Sequence, residues 1–309
     1  MDTHELLGRI TRLPIVASGL AEDMLSGNFR SVFRGQGLEF DEARHYQWGD
    51  DAKAIDWNAS ARLGTPFIKM YKEERELSIL LLLDTSASMH TPRWGDGTAA
   101  FRRNSQNLRP YEQALIAAAL IAFSAERSGQ RVGAILFDRE MERVFPPRKG
   151  RQSVLAIVSG ALQYHNSEAA KARADNTSNL RSAIAGTERM LKRRSMVVIL
   201  SDFLSIGWEQ ELNQLCRKHD VIVIRVSDPY EEDLSDMGLI TIIDPETGLR
   251  LTAPSGSASF RSAWAVWHRE RADMWRNICG RAGAALLELP VNTDAVSALT
   301  VFFGGRSKR

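Results

Sequence analysis

The sequence predicts an α/β fold in which a doubly wound, mainly parallel sheet carries helices on both faces. From residue 78 onward, strand-like apolar runs alternate with longer helix-like segments. The runs over 78–84 and 196–202 are apolar almost throughout, which is typical of strands buried on both faces, and each ends in an aspartate. Strands and helices that alternate at these lengths build a parallel sheet through right-handed crossovers.

The first half of this region supplies three strands and two helices. Apolar runs over 78–84 and 131–138 predict buried strands, and a short edge strand at Val144 is ended by the two prolines that follow Phe145. Residues 90–110 are polar and contain Gly and Pro, which indicates a loop. The segment 111–128 is apolar around nearly its whole circumference, so it predicts a buried helix that Gly129 ends, and 151–163 predicts a second helix.

The second half continues the alternation. A hairpin is predicted around Gly248, which can supply the positive φ of its turn. The remaining helices have apolar residues spaced three and four apart, and the remaining strands are continuous apolar runs. In chain order these elements are a helix over 179–192, a strand over 196–202, a helix over 209–218, a strand over 221–226, hairpin strands over 239–244 and 249–252, a helix over 258–282, a strand over 284–287 and a helix near 292–301.

The first 77 residues differ from the rest. Residues 6–25 predict a helix with Pro14 as a candidate break, and the following segment is dense in charged and aromatic residues with little helical period. We expect short strands and turns there, with Trp48 and Trp57 as packing residues or contacts for a partner. The chain is therefore divided into an N-terminal helix and charged, aromatic lobe (1–77) and an α/β domain (78–309).

Composition narrows the class of protein. The chain has 309 residues with 44% hydrophobic and 25% charged residues, which excludes a disordered chain or a coiled coil. A net charge of +2 gives no bulk field for nucleic acid or an anionic membrane. The start of the chain lacks a secretory signal pattern, the longest apolar stretch (114–123) is too short to span a membrane, and the two cysteines suggest no disulfide framework. We expect a cytoplasmic protein.

Two aspartates at strand ends form the candidate site. Ligands of an open parallel sheet bind outside the carboxyl ends of the strands, where Asp84 and Asp202 are expected to meet. Asp84 is followed by Ser86 and Ser88, so a turn can aim one carboxylate and two hydroxyls at a single point. Hard oxygen donors of this kind suit Mg²⁺. The alternative is that the two serines cap a helix, but capping does not need the second aspartate.

Enzyme motifs are lacking in the sequence. The six histidines have no zinc-hydrolase spacing, and neither a P-loop nor a nucleophile elbow occurs. A haloacid-dehalogenase-like phosphatase also has an apolar strand that ends in an aspartate, but it needs a second acid two residues later, where this chain has Ser86. A phosphatase is therefore the least favoured alternative, and we expect no enzyme.

The runs LLLLDTSASM and VVILSDF resemble the first and third metal loops of von Willebrand factor A domains. The resemblance implies a von Willebrand factor A-like fold and a metal-ion-dependent adhesion site (MIDAS). It assigns Ser86 and Ser88 as direct ligands and Asp84 and Asp202 as direct or water-linked acids. Ser178 stands at the position of the family's middle-loop threonine, with Thr177 one residue earlier as the alternative. The metal implied is Mg²⁺, with Mn²⁺ or Ca²⁺ as alternatives.

A longer pattern resembles a narrower bacterial family, domain of unknown function 58 (DUF58). The run EFDEARHYQWGDDAKAIDWNASAR precedes the first predicted strand and matches the pattern R-x-Y-x-x-G-D-x-x-x-x-I-D-W-x-x-S-A-R. The matching residues are Arg44, Tyr46, Gly49, Asp50, Ile55, Asp56, Trp57, Ser60, Ala61 and Arg62. The resemblance implies association with a MoxR-type AAA+ ATPase and a role in the assembly, maturation or metal loading of other proteins.

These expectations combine into a non-catalytic, metal-dependent protein-binding module. It would bind a carboxylate of a client protein and act as an adaptor or co-chaperone of a MoxR-type AAA+ ATPase, without contacting nucleic acid or inserting into a membrane. The alternative is a structural scaffold with a vestigial metal site.

Overall fold

The computed structural model describes residues 8, 13, 20, 39–47, 55–72, 77–90, 108–166, 178–229, 234–244 and 248–306. The chain divides into two compact units, one of Phe29–Glu76 and one of Met1–Asn28 with Leu77–Arg309. In chain order the elements are β1 (Glu39–His45), α1 (Trp57–Leu63), β2 (Phe67–Lys72), β3 (Ser78–Asp84), α2 (Ala87–His90), α3 (Pro110–Arg127), β4 (Arg131–Phe137), β5 (Met141–Arg148), α4 (Arg151–Asn166), α5 (Leu180–Met190), β6 (Met196–Ser201), α6 (Glu209–Lys218), β7 (Asp220–Ser227), β8 (Leu239–Ile243), β9 (Arg250–Pro254), α7 (Ala258–Ala282), β10 (Ala285–Pro290) and α8 (Ala295–Arg306).

A six-stranded sheet of order β10-β7-β6-β3-β4-β5 forms the centre of the larger unit. All neighbouring strands are parallel except β5, which pairs antiparallel with β4 at one edge. The chain adds β4 and β5 on one side of β3 and then returns to add β6, β7 and β10 on the other. The strand order therefore reverses between β3 and β6, which is where open α/β sheets bind ligands. The predicted fold class, an α/β fold with a doubly wound, mainly parallel sheet, is confirmed.

Helices cover both faces of this sheet, as predicted. Leu80 and Leu82 of β3 belong to a buried cluster with side chains of α5, α6 and α7. Leu81 and Leu83 point to the opposite face, where they line a small apolar gap with residues of α3 and α4. Helix α3 is buried along nearly its whole length because the sheet, α4 and α8 all pack against it. This burial explains why its apolar residues surround the helix instead of forming one stripe.

Most strands and helices lie close to their predicted positions, and the differences are at β5 and at the C-terminal end. Strand β5 does not end at its prolines: it begins at Met141 and runs through Pro146 and Pro147 to Arg148, because an edge strand tolerates residues without an N–H. Strand β10 continues to Pro290, because residues 285–290 pair in register with β7. Helix α8 begins at Ala295, since the carboxylate of Asp294 accepts a hydrogen bond from Ser297 N and caps the helix there. Of the predicted N-terminal helix, Gly8, Leu13 and Leu20 are helical and the other positions lie outside the described residues. Most of the predicted loop (91–107) also lies outside them.

The smaller unit contains an antiparallel β1–β2 pair, with α1 between its strands in sequence. Asp56 caps α1 by accepting hydrogen bonds from Asn58 N and Ala59 N, and Ser60 Oγ accepts a hydrogen bond from Phe67 N at 2.8 Å. These residues of the predicted DUF58 pattern therefore stabilise local structure. Trp57 is 71% exposed, whereas Trp48 lies outside the described residues.

The predicted hairpin is present as the antiparallel pair β8–β9, and Gly248 has a φ of +68° in its turn. Among the helices of the described residues, none is both long enough and apolar enough to cross a membrane.

Candidate metal centre

The first side of the site is the turn that follows β3. Thr85 is held in place because its N–H and its hydroxyl both donate to the carbonyl of Phe137, at 2.7 and 2.9 Å. Ser86 N then donates to Asp84 Oδ1 at 2.9 Å, which closes a tight Asx turn before α2 begins. Asp84 and Ser86 are both fully buried. The turn therefore holds a carboxylate and the Ser86 and Ser88 hydroxyls at the carboxyl edge of the sheet.

The second side is the start of α5. Ser178 Oγ donates to Asp84 Oδ2 at 3.0 Å. Asn179 N donates to Asp138 O at 2.7 Å, and the Asn179 side chain caps α5 by accepting from Ser182 N. The predicted middle-loop residue thus lies against Asp84, and its segment is anchored to the end of β4. The alternative, Thr177, lies outside the described residues.

The third side is the turn that follows β6. Asp202 Oδ1 accepts a hydrogen bond from Leu204 N at 3.1 Å, and the Ser88 hydroxyl donates to the Asp202 carboxylate. Phe203 has a φ of +57°, an unusual conformation for a residue with a side chain. Its ring packs against Trp208 and Trp275 at centroid distances of 5.4 and 5.8 Å. This packing stabilises the turn that places Asp202 beside Ser88.

The five predicted site residues form one continuous series of polar contacts. Asp202 contacts Ser88, and Ser88 Oγ lies 3.1 Å from Ser86 Oγ. The Ser86 hydroxyl also bonds to Asp84, which in turn accepts from Ser178. The structure therefore brings all five side chains together, although whether they bind a metal stays a prediction.

Ser201 belongs to the site but was not predicted from the sequence. Its hydroxyl donates to Asp84 Oδ2 at 2.6 Å and accepts from Phe203 N at 3.0 Å. The signal was present in the alternation of β6. Because Leu82 pairs with Ile199, counting two residues further along each strand places Ser201 beside Asp84 on the same face.

Burial and like charge dominate the electrostatics of the two carboxyl groups. Burial, with the nearby Asp202 charge, raises the pKa of Asp84 to about 7, although hydrogen bonds from Ser201 and Ser86 act in the opposite direction. Burial also raises the pKa of Asp202, opposed by the hydrogen bonds from Ser88 and Leu204 and by the positive charges of Arg225 and Arg271. Without a bound cation, the site therefore favours a protonated carboxyl group near neutral pH.

Arg225 and Arg271 were also missed by sequence reasoning. Arg225 lies in β7 in register with Ser201 and is only 9% exposed. A single arginine inside the apolar run of residues 221–226 was the available signal, because a buried strand seldom carries an unpaired charge. Arg271 comes from α7, which the sequence did not place near the strand ends.

The oxygen donors fit a small hard cation. Adjacent ligands of an octahedral Mg²⁺ site lie about 3.0 Å apart when each is about 2.1 Å from the metal. The Ser86–Ser88 hydroxyl separation of 3.1 Å and the Ser178–Asp84 separation of 3.0 Å match that spacing. In the described part of the chain, no group of three or more His, Cys, Asp or Glu side chains could hold a metal. A metal here would depend on hydroxyls and water in addition to two carboxylates.

Comparisons with known proteins identify sequence relatives without a known function. The family model described as "Protein of unknown function DUF58" matches residues 42–273. Uncharacterized proteins of Mycobacterium tuberculosis and Mycobacterium bovis are each 30% identical over 315 residues, covering 100% of this chain and 92% of the relative. An uncharacterized protein of Mycobacterium avium is 33% identical over 133 residues, covering 42% of this chain and 77% of the relative.

Similar solved structures include a conserved hypothetical protein and a von Willebrand factor A domain. The first, BatB from Bacteroides thetaiotaomicron, is 15% identical, with a TM-score of 0.42, and the match covers 75% of this chain and 100% of BatB. The second, the SpRpn10 VWA domain, is 10% identical, with a TM-score of 0.38, and the match covers 73% of this chain and 94% of that domain.

Proposed function

The chain belongs to the DUF58 family, and we propose that it is a non-catalytic protein-binding module in which a divalent cation binds a carboxylate of a partner protein. The observation that carries the proposal is the series of polar contacts that links Asp202 to Ser178 through Ser88, Ser86 and Asp84. It gathers oxygen donors from three separate segments at the point where the strand order reverses. Mg²⁺ is the cation that such donors suit best, with Mn²⁺ or Ca²⁺ as alternatives.

The charges of the site support a cation. Two carboxyl groups lie close together, and burial raises the pKa of both. A divalent cation between them would offset the free-energy cost of ionising two buried carboxyl groups and so favour their ionised forms. Since the Ser86, Ser88 and Ser178 ligands are neutral, the bound cation would keep an electrophilic position that can take a carboxylate oxygen.

A protein fits this site better as a partner than a small free anion does. Two large apolar side chains follow Asp202 in the same turn, and they are exposed: Leu204 by 40% and Ile206 by 89%. Exposed apolar side chains beside a polar anchor are typical of surfaces that bind other proteins. We therefore expect the partner to place an acidic residue at the metal and apolar residues against Leu204 and Ile206.

We further propose that the module works as an adaptor or co-chaperone of a MoxR-type AAA+ ATPase. The support is the resemblance of the N-terminal pattern around Asp56 and Trp57 to DUF58 proteins, which implies such a partner. In this arrangement the metal centre would hold a client protein while the ATPase remodels it. If the pairing is correct, a MoxR-type ATPase from the same organism should bind the purified chain, and a chain with Trp57→Ala offers a first test of the exposed tryptophan.

Metal titration by calorimetry tests the central proposal. The wild-type chain, Asp84→Ala and the double variant Ser86→Ala/Ser88→Ala are titrated with Mg²⁺ and Mn²⁺, and circular dichroism checks that each is folded. Binding by the wild type that disappears in the folded variants is the expected result. Asp273→Ala and Ser262→Ala are matched controls because they alter an exposed carboxylate and an exposed hydroxyl on α7.

Failure of the folded wild type to bind metal would leave two explanations. The site would be completed only by a partner carboxylate, or the chain would be a scaffold with a vestigial site. A pull-down with and without EDTA separates them. Partner binding that survives EDTA would refute the metal-dependent module and favour the scaffold.

A further inference from the structure

Two arginines lie beside Asp202, at one end of the candidate metal centre. Arg225 projects from β7 at the level of Ser201, and Arg271 reaches the same place from α7. Both charges act on the Asp202 carboxylate, and each guanidinium group also lowers the pKa of the His268 side chain. The four groups therefore form one cluster.

Contacts on both sides hold Arg271 in position. Its Nη2 donates to Leu204 O at 3.2 Å, and its guanidinium carbon lies 4.9 Å from the centre of the Trp267 ring. A guanidinium group has five N–H donors, and the bond to Leu204 uses one. Arg271 is only partly buried, so it can meet a partner at the surface while Trp267 fixes its plane.

Arg271 adds a positive charge beside the Asp202 carboxylate. Asp202 is the carboxylate that stabilises the charge of Arg271, whereas Arg225 and burial disfavour that charge. Burial and the two arginines lower the pKa of His268 to about 4, so this side chain is neutral at pH 7. A bound divalent cation would be balanced in charge by the Asp84 and Asp202 carboxylates, so the positive charge of Arg271 would be left to attract an anionic group of the partner.

We propose that Arg271, supported by Arg225, binds a second anionic group of the same partner segment, so that the site is specific for a pair of acidic residues. One carboxylate would occupy the metal, and the second would accept hydrogen bonds from the Arg271 guanidinium. Arginine suits this role because its planar group bonds to carboxylates in a bidentate manner. The inference rests on the proposed metal-dependent function and names the chemistry of its partner.

Binding of synthetic peptides tests the pair. Short capped Gly/Ser peptides carry either one glutamate or two glutamates at different separations, and fluorescence anisotropy measures their binding in Mg²⁺ and in EDTA. We expect the two-glutamate peptide of best separation to bind about tenfold or more tightly than the one-glutamate peptide, since a hydrogen bond between charged groups is added. Peptides with unfavourable separations control for total charge, and EDTA should abolish binding of all of them.

Variants of α7 assign the effect to Arg271. Arg271→Gln should remove the advantage of the second glutamate and leave one-glutamate binding in place. It should also bind Mg²⁺ at least as tightly as the wild type, because a neighbouring positive charge is lost, whereas a damaged site would bind Mg²⁺ more weakly. Arg271→Lys should keep part of the advantage. Arg269→Gln, which alters an exposed arginine of the same helix, should keep all of it.

Three results would overturn the inference. Equal binding of one- and two-glutamate peptides by the wild type would show that there is no second anion position. An advantage that persists in Arg271→Gln would place that position elsewhere, and equal losses of metal and peptide binding in Arg271→Gln would make Arg271 a structural residue. If no peptide binds in an Mg²⁺-dependent manner, the proposed function itself fails, which differs from a failure of the second position alone.

Discussion

Replacing Asp84 by asparagine should stabilise the metal-free protein at and above neutral pH. The pKa of the Asp84 carboxyl group is raised from its ordinary 3.8 to about 7 in the folded chain. The folded state therefore holds a proton that the unfolded state has already released. Stability from this group is complete below about pH 4 and is lost as the pH rises through about 7.

The size of the effect follows from the pKa difference. About three pKa units at about 1.36 kcal/mol each give about 4 kcal/mol of unfolding free energy lost between low and high pH. The Asp84→Asn variant does not ionise, so it should not lose this amount. The side-chain amide oxygen of the asparagine can still accept hydrogen bonds from the Ser178 and Ser201 hydroxyls, which donate to Asp84 Oδ2 in the wild type.

Urea unfolding followed by tryptophan fluorescence measures the effect in EDTA between about pH 5 and about pH 8. The difference between wild type and Asp84→Asn is the informative quantity. Burial lowers the pKa of His165 and of His268 to about 4, so these groups change stability in the opposite direction, but they do so equally in both proteins. The free energy of unfolding of the wild type should fall relative to that of Asp84→Asn as the pH rises. Mg²⁺ should reverse the fall for the wild type alone, by about 2.7 kcal/mol at one hundred times its dissociation constant.

Parallel pH profiles of the two proteins would refute the reasoning. They would mean that ionising Asp84 does not destabilise the folded chain. A cation would then not be needed to offset the charge of this buried carboxylate. Asp273→Asn is the matched control, because this carboxylate is exposed and paired with Arg276. It should leave the profile of the wild type unchanged.

Three further predictions follow from the same contacts. Ser201→Ala removes a hydrogen bond that lowers the pKa of Asp84, so this pKa should rise. Calorimetry at several pH values should therefore show that the midpoint pH of Mg²⁺ binding rises by about one unit. An unchanged pH dependence would contradict this prediction. Ser178→Ala should weaken Mg²⁺ binding about tenfold while Ser178→Thr retains it; equal affinities would show that this hydroxyl is not a ligand. Phe203→Ala should lower the unfolding free energy by about 3 kcal/mol in urea and weaken Mg²⁺ binding, because Trp208 and Trp275 no longer fix the Asp202 turn; normal metal affinity would show that the turn forms without this packing.

The fold was accessible from the sequence because its central strands are buried on both faces. Residues 80–83 are all leucine, so neither face of this strand is polar. A continuous apolar run of this kind could be assigned to a central strand without further information. The end of β10 and the start of α8 were less accessible. They depend on pairing of Leu289 with Val226 and on capping by Asp294, and neither contact can be predicted from hydrophobic periodicity.

The site was predictable where its residues are adjacent in sequence or match a known motif. Asp84, Ser86 and Ser88 share one turn, Asp202 ends a second buried strand at the same edge, and Ser178 was found through the resemblance to von Willebrand factor A domains. Ser201 and Arg225 reach the same edge only through strand register. Sequence reasoning that stopped at the last residue of each strand could not identify them, whereas pairing Leu82 with Ile199 and Ser201 with Arg225 does.

The two acids of the site are not equivalent. Asp84 is fully buried and accepts hydrogen bonds from three segments of the chain, through Ser86, Ser178 and Ser201. Asp202 is only partly buried and faces Arg225 and Arg271. Asp84 therefore holds the three segments together, whereas Asp202 would set the charge that the proposed partner meets.

This difference would let one site remain folded with and without the proposed cation. When Asp84 is protonated, the proton removes the charge that burial disfavours, and the hydroxyl contacts persist. If a cation binds as proposed, the proton must leave, because the same oxygens would then serve the metal. Proton and cation would thus compete for Asp84, and its pKa of about 7 would place the competition near neutral pH. Metal binding, and with it partner binding, should therefore respond to modest changes of pH, with Ser201 setting the midpoint through its hydrogen bond.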